Sequence, residues 1–526
     1  MNQNHFTLQG DSLEAFYQLG LSEKNKPSSS KVLKKMVLKN KTINYLSEKI
    51  LGNTLSFPSF MKEELHQYIE GKGIKTDEFI QNFYLADVIS SINSISPGAL
   101  PNIGCSSGLV NDGDSIRHLR ILDYPLGPFS DDYNSDLFFN IDNLNKVLTH
   151  SFTDIPLPAL TSLNEHGLSL ALHQRTSNKF NFKGSSIFEL TSKISLQAST
   201  IEDSINMVRD FNSINNWSII LVSKKEKIAA EIETIPNSAP EVKKYDLSQK
   251  SFFYICNKSI QKNNENCSFT DNWNFYNSKR NDWVDSLSLD EKINNFFKLP
   301  KITKKTNFSH FPITPASIQS LDINLTIDQI KKISNSKVKY DDGQEKKYNI
   351  NWGKSVINIE KDFSKIKKQS QAESFYESIS LCQYYWDQDN KNKAFHYAQL
   401  CIDRSPSQEL FSIASVFYSY FVFCDISNKK ILTGQYKRLC KAHSNLPKFF
   451  CPDALLLINY YAHYLSLPSF KIDQLSDQHI FHFRKNKKIP KYFFKKIFKY
   501  LYIPRYEMFS FGKVNYLIDA VGSPWR

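Results

Sequence analysis

Glycine is scarce in this chain, 17 of 526 residues, which excludes collagen-like and glycine-rich low-complexity architectures. No apolar run reaches the roughly 20 residues that a spanning helix needs. Leu410 to Cys424 runs 15 residues without a charge and reads as a buried helix instead. The first twenty residues lack a basic start and an apolar core, so no cleaved signal peptide is expected. None of the eight cysteines (Cys105, Cys256, Cys267, Cys382, Cys401, Cys424, Cys440 and Cys451) has a neighbour at the two-residue gap of a zinc knuckle or redox motif. The plain reading is a cytoplasmic chain with free thiols, most of them small core residues. No metal and no cofactor is expected.

Acid is also missing from one long stretch. Between Asp477 and Glu507 there is none, against nine Lys/Arg. The net charge of +13 is therefore uneven. From Lys365 to Arg526 there are 24 Lys/Arg and 12 Asp/Glu, which leaves the first 364 residues close to neutral. A partner implied by basic charge belongs to the C-terminal third.

With 41% hydrophobic residues, a chain of this length can bury a full core. His5 to Gln9 reads as a short strand, and Ser12 to Leu21 and Met61 to Gly71 as amphipathic helices. Thr76 is placed as the cap of a helix running towards Ile95. From Gly104 the pattern changes to strands. Gly104 to Val110 and Ile116 to Asp123 pair around Asp112-Gly113, and Leu160 to Asn164 pairs with Leu168 to Gln174. Two helices follow, Phe188 to Ala198 and Ile201 to Phe211. Trp217 to Val222, Ile228 to Glu233 and Ser251 to Cys256 are strands again. Asp322 to Ile327 and Lys337 to Tyr340 are candidates to close the sheets. This order gives an α+β domain with mostly antiparallel sheets. After about Lys361 the chain is helical. Leu381, Cys382, Tyr385, Ala394, Ala398 and Pro406 fall at tetratricopeptide-like spacings, without a clear second copy.

The chemistry centres on Cys105. An arginine near a thiol favours the thiolate, and Arg120 and Asp123 follow on the predicted hairpin, where strand alternation can turn them towards the thiol's face. Gly104-Cys105-Ser106-Ser107, followed by Arg120-Ile121-Leu122-Asp123-Tyr124-Pro125, resembles the start of the mature catalytic chain in N-terminal-nucleophile amide hydrolases. This group includes the choloylglycine hydrolases, acid ceramidase, N-acylethanolamine acid amidase and isopenicillin N acyltransferase. Leu163 to Leu168 is similar to the family's Asn-Glu-x-Gly-Leu turn, and Glu231-Ile232-Glu233 to a later strand. The resemblance covers roughly Phe6 to Ile350 and leaves out the C-terminal third.

The resemblance implies a four-layer αββα sandwich of two antiparallel sheets. It also implies self-cleavage between Gly104 and Cys105, after which the new Cys105 amine serves as general base to its own thiol. Arg120 then steadies nucleophile and substrate, and Asp123 holds the amine. Asn257 is an oxyanion-hole donor. Arg280 is a second site arginine, with Asn277 where the family has Ser. The substrate implied is a small linear N-acyl amide, hydrolysed or used as acyl donor. His173-Gln174-Arg175 stands where relatives often carry Asn-Glu-Arg. A neutral His173 can donate a hydrogen bond, and Gln174 replaces a glutamate that assists self-cleavage. Taken singly, these residues have plainer readings: a buried structural thiol, a turn cap for Asp123, a solvated helix position for Arg280, a core position for His173.

The expected domains are 1–104, a helical precursor segment removed or kept as a small subunit; 105–360, the catalytic domain; and 361–526, a basic, tetratricopeptide-like all-α domain. Residues 484–505 interleave Lys/Arg with aromatics. Either an ordinary helix packs its aromatics in the array, or this stretch docks on an anionic membrane surface. No specific nucleic acid is expected. The competing functional class is a catalytically degenerate adapter that binds a partner or membrane through its helical third.

Overall fold

The computed structural model describes residues 5–26, 28, 55–95, 104–123, 133–175, 179–260, 280–299, 302–306, 311–315, 317–333, 345–361, 371–448 and 450–474. Two sheets dominate. The first runs in the order β1 (His5–Gly10), β4 (Asn134–Ile141), β5 (Val147–Phe152), β6 (Thr161–Asn164), β7 (Leu168–Gln174), β8 (Trp217–Ser223), β9 (Ile228–Ile235) and β10 (Ser238–Asp246). The second runs β11 (Ser251–Ile255), β2 (Gly104–Asn111), β3 (Ile116–Asp123), β12 (Ser317–Asn324), β13 (Gln329–Ile333), β14 (Glu345–Asn351) and β15 (Val356–Lys361).

Neighbouring strands are antiparallel in both sheets except for β1 and β4, which pair in parallel, Phe6 opposite Leu137. The sheets are thus mostly antiparallel, as the strand order implies, and the two antiparallel sheets of the resemblance are corrected at this one pair. More than a hundred residues separate the two strands, so no hairpin constrains their direction.

Alternation along the strands makes the layers. Phe138, Leu148, Ala171, Ile220 and Val222 of the first sheet pack with Leu109, Leu321, Ile323 and Ile330 of the second in one core between them. The opposite side chains of the first sheet, among them Leu137, Phe139, Leu170, Ile219 and Ile232, form a second core with the helices. Those helices are α1 (Ser12–Glu23), α2 (Lys62–Lys72), α3 (Thr76–Phe83), α4 (Leu85–Ile95), α5 (Ile187–Gln197) and α6 (Ile201–Arg209). The outer face of the second sheet, with Val110, Leu119 and Ile121, is covered by Phe296 and Ile293 around α7 (Leu289–Asn295) and by Ile313. Each fully buried Leu or Ile contributes about 1.5–3 kcal/mol.

The described residues before Gly104 belong to this body. β1 extends the first sheet, and α1 and α2 touch backbone to backbone: a Cβ on Gly20 would lie 2.3 Å from Tyr68 O, and one on Gly71 2.1 Å from Tyr17 O. Lys72 Nζ, buried, pairs with Asp154 at 2.7 Å and Glu23 at 3.4 Å. Glu189 of α5 accepts the backbone N–H groups of Ser59 and Phe60. In α4, Asp87 accepts from Ser186 Oγ at 2.8 Å and Trp217 Nε1 at 2.9 Å. Thr76, expected as a cap, is the first helical residue; Lys75 takes the cap without a side-chain bond. The single helix expected from Thr76 to Ile95 is divided at Tyr84.

Strands β4, β5, β10, β13, β14 and β15 lie beyond the elements read from the sequence. Lys337 to Tyr340 falls outside the described residues. The last part is an array of α8 (Gln371–Asp387), α9 (Lys391–Asp403), α10 (Gln408–Asp425), α11 (Lys429–His443) and α12 (Cys451–Leu465), with its own apolar core. Cys382, Ala394 and Ala398 are buried there, and Tyr385 stacks on Tyr397 with ring centroids 5.4 Å apart. Among the described residues no helix is long and apolar enough to cross a membrane. The basic stretch 484–505 lies outside them.

Candidate active site

The hairpin β2–β3 carries Cys105, and its turn sets the register. Gly113 takes φ +101°, a left-handed conformation that costs glycine little. Asn111 Oδ1 accepts the Gly113 N–H at 2.8 Å, and Asp112 Oδ1 accepts that of Ser115 at 2.7 Å. The pairing that follows puts Cys105 opposite Leu122, Ser107 opposite Arg120, and Gly104 opposite Asp123.

Cys105, Ser107, His118 and Arg120 therefore share the face turned to the first sheet. Asp123 does not. Three positions from Arg120 on one strand, it points to the opposite face, so the expectation that the Arg and Asp act from one side is corrected by strand parity.

Arg120 is fully buried. Its Nη2 donates to Cys105 Sγ at 3.2 Å and to Leu172 O at 2.7 Å, and its Nη1 to Ile121 O at 3.0 Å. Cys105 Sγ is also 3.6 Å from Leu172 O. Among the described residues no carboxylate lies within ion-pair distance of Arg120. A desolvated cation is thus surrounded by two carbonyls and the thiol.

Asn257, just past β11, accepts the backbone N–H of Cys105 on its Oδ1 at 2.8 Å and donates from Nδ2 to Gln174 O at 2.8 Å. Its two partners, an N–H and a carbonyl, settle the orientation of the carboxamide. Asn257 thus contacts the Cys105 nitrogen.

Asp123 accepts from Ser317 Oγ at 2.5 Å, and Arg280 Nη2 lies 3.7 Å from its other oxygen. Burial raises the Asp123 pKa, with Arg280, Ser317 and Arg120 opposing. Behind Asn257, Arg175 donates to Cys256 O at 2.6 Å and pairs with Glu231, while Glu233 accepts from Ser259 Oγ and Ile260 N. The Glu231-Ile232-Glu233 strand thereby fastens the loop that carries Asn257. Gln174 Nε2 donates to Ser90 Oγ of α4 at 2.5 Å.

The structure thus brings Cys105, Arg120, Asn257 and Gln174 together around one strand end, with Asp123 and Arg280 on the reverse face beside Gly104. Ser317, Ser107 and His118 also belong here and went unread in the sequence. Ser317 sits on a distant strand with no motif around it. The even spacing of Cys105, Ser107, His118 and Arg120 along the hairpin is the signal that could have revealed the other two. Among the described residues no group of three or more His, Cys, Asp or Glu is placed to hold a metal ion.

No family model matches the sequence, and no curated protein does. Among solved structures the chain is similar to an N-acylethanolamine-hydrolyzing acid amidase ortholog of Caenorhabditis elegans, at 14% identity and a TM-score of 0.31, over 42% of this chain and 93% of that one. Likeness at this level carries neither fold nor function from one chain to the other.

Proposed function

We propose that the chain is a self-processing cysteine amidase of the N-terminal-nucleophile type, with Cys105 as nucleophile and a linear N-acyl amide as substrate. One observation carries this reading. The Cys105 sulfur meets the buried Arg120 at 3.2 Å, with no carboxylate at ion-pair distance from that guanidinium among the described residues, while the Cys105 nitrogen is held by Asn257 at 2.8 Å. A structural thiol needs neither.

In the precursor the thiol attacks the Gly104 carbonyl, the peptide nitrogen leaves with a proton, and water hydrolyses the thioester. The products are the Gly104 carboxylate and a free Cys105 amine. That amine, with a pKa near 8, then takes the thiol proton. The thiolate adds to the substrate carbonyl, the substrate nitrogen departs protonated, and water or an acceptor amine releases the acyl group. Arg120 stabilises the thiolate, and Asn257 orients the amine. Asp123, paired across the hairpin with Gly104, acts on the cleavage junction together with Arg280. The 104 residues before the cut remain attached, because β1 and the buried contacts of Lys72, Asp87 and Glu189 tie them to the sheet.

A denaturing gel tests the reading. Purified protein should yield chains of 104 and 422 residues, and Cys105→Ala should stay whole and inactive. An active preparation in which N-terminal sequencing finds Cys105 still internal would overturn it. A wild type that stays whole and hydrolyses no N-acyl amide would favour the adapter instead.

A further inference from the structure

We propose that His173, Ser107 and His118 form an uncharged positioning relay that sets where the Leu172 carbonyl meets Arg120 and Cys105. The relay rests on the reading of Cys105 as nucleophile.

Leu172 O belongs to β7, in the first sheet, whereas Cys105 and Arg120 belong to β2 and β3, in the second. The acceptor shared by thiol and guanidinium therefore depends on how the two sheets are held at that point. His173, the next residue on β7, reaches across: its Nε2 lies 2.8 Å from Ser107 Oγ. Ser107 is the cross-strand partner of Arg120. Its hydroxyl is also 3.1 Å from His118 Nε2, and His118 Nδ1 returns to β7 at Ser169 Oγ, 3.0 Å away. Two hydroxyls and two rings thus stitch β7 to the hairpin on either side of Leu172 O. All four residues are fully buried.

Proton counting fits neutral rings. Ser107 has one hydrogen to donate and lone pairs to accept, so it donates to one Nε2 and accepts the N–H of the other. Burial and the charge of Arg120 push His118 down to about 3 and hold His173 well below its ordinary value. The lack of charge matters. A carboxylate at either ring position would pair with the guanidinium and draw it from the sulfur, while an apolar side chain at position 173 would leave Ser107 with His118 alone and cut the bond that holds the neighbour of Leu172 to the hairpin. Displacements of about 1 Å in such a site cost up to roughly 10²-fold in rate.

The test uses the full chain carrying His173→Leu, His173→Gln or Ser107→Ala. Three things are measured: the rate of self-cleavage on a denaturing gel, kcat and KM of the mature enzyme on N-lauroyl-7-amino-4-methylcoumarin, and the thermal midpoint. His173→Leu and Ser107→Ala should lower the cleavage rate and kcat by about tenfold or more, with KM within about twofold. His173→Gln, whose amide can still bond the Ser107 hydroxyl, should recover most of the loss. A competent wild type whose Leu variant matches it, a Gln variant no better than Leu, or rate losses that simply follow a falling thermal midpoint would each overturn the relay alone. A wild type that neither cuts itself nor hydrolyses the probe overturns the nucleophile reading and the relay together.

Discussion

Asn257 Oδ1 accepts the backbone N–H of Cys105 at 2.8 Å, and the same carboxamide donates to Gln174 O. The resemblance casts Asn257 as an oxyanion donor; here one of its two amide N–H groups goes to a carbonyl, and its oxygen faces the nitrogen that self-cleavage would free. Asn257→Ala should slow self-cleavage by on the order of 10²-fold, as for loss of a positioning or oxyanion contact. Asn257→Asp should also be slow, because a buried carboxylate would then face the Gln174 carbonyl. Gel timing of the two variants checks this; an Asp variant at wild-type speed would show that the acceptor alone suffices.

Asp87 makes the stability of the precursor pH-dependent. Burial raises its pKa to about 7, despite hydrogen bonds from Ser186, Trp217 and Asn215. The folded state therefore prefers the protonated acid. The contribution is complete below the unfolded value near 4 and is lost as pH rises through about 7, a swing of roughly 4 kcal/mol at 1.36 kcal/mol per unit. Asp87→Asn mimics the neutral acid. Denaturant midpoints should place the variant near wild type at pH 3.5 and above it at pH 7.5; equal offsets at both would refute the assignment.

Gly20 and Gly71 let α1 and α2 touch. An added methyl would have to displace backbone atoms, not a flexible side-chain end. Overpacking of this kind costs about 1–3 kcal/mol. Gly20→Ala and Gly71→Ala should each lower the thermal midpoint, and after processing they should loosen the 104-residue piece, read as its separation on size exclusion.

A buried ionic knot joins the two sheets away from Cys105. Asp136 accepts from His150 Nδ1 at 2.7 Å, Lys332 Nζ at 2.5 Å and Tyr348 OH at 2.5 Å. Burial alone would raise Asp136, but Lys332 and His150 more than offset it and hold the carboxyl well below its usual range. Removing one partner strands a charge, which costs about 3–5 kcal/mol. Lys332→Met should destabilise by that order, and Lys332→Met with Asp136→Asn by less than the single change. Chemical denaturation of the pair decides it.

The sequence by itself was enough for the hairpins β2–β3, β6–β7 and β8–β9, for β11 and for the two helices before β8, because binary patterning and turn residues such as Asp112-Gly113 and Gly167 act locally; β4, β5 and β10 in the same range were not legible. The helical texture of Gln371 to Leu465 was legible for the same reason. The candidate residues Cys105, Arg120 and Asp123 could be named from their motif. Only the tertiary structure decided the rest. That β1 pairs in parallel with β4, that Ser317 meets Asp123, and that His173 bonds Ser107 across the sheets all depend on contacts between residues dozens to hundreds of positions apart. Such contacts leave no periodic trace in a chain. They arise when two sheets, each patterned locally, bury their facing side chains and every polar group left between them must find a partner.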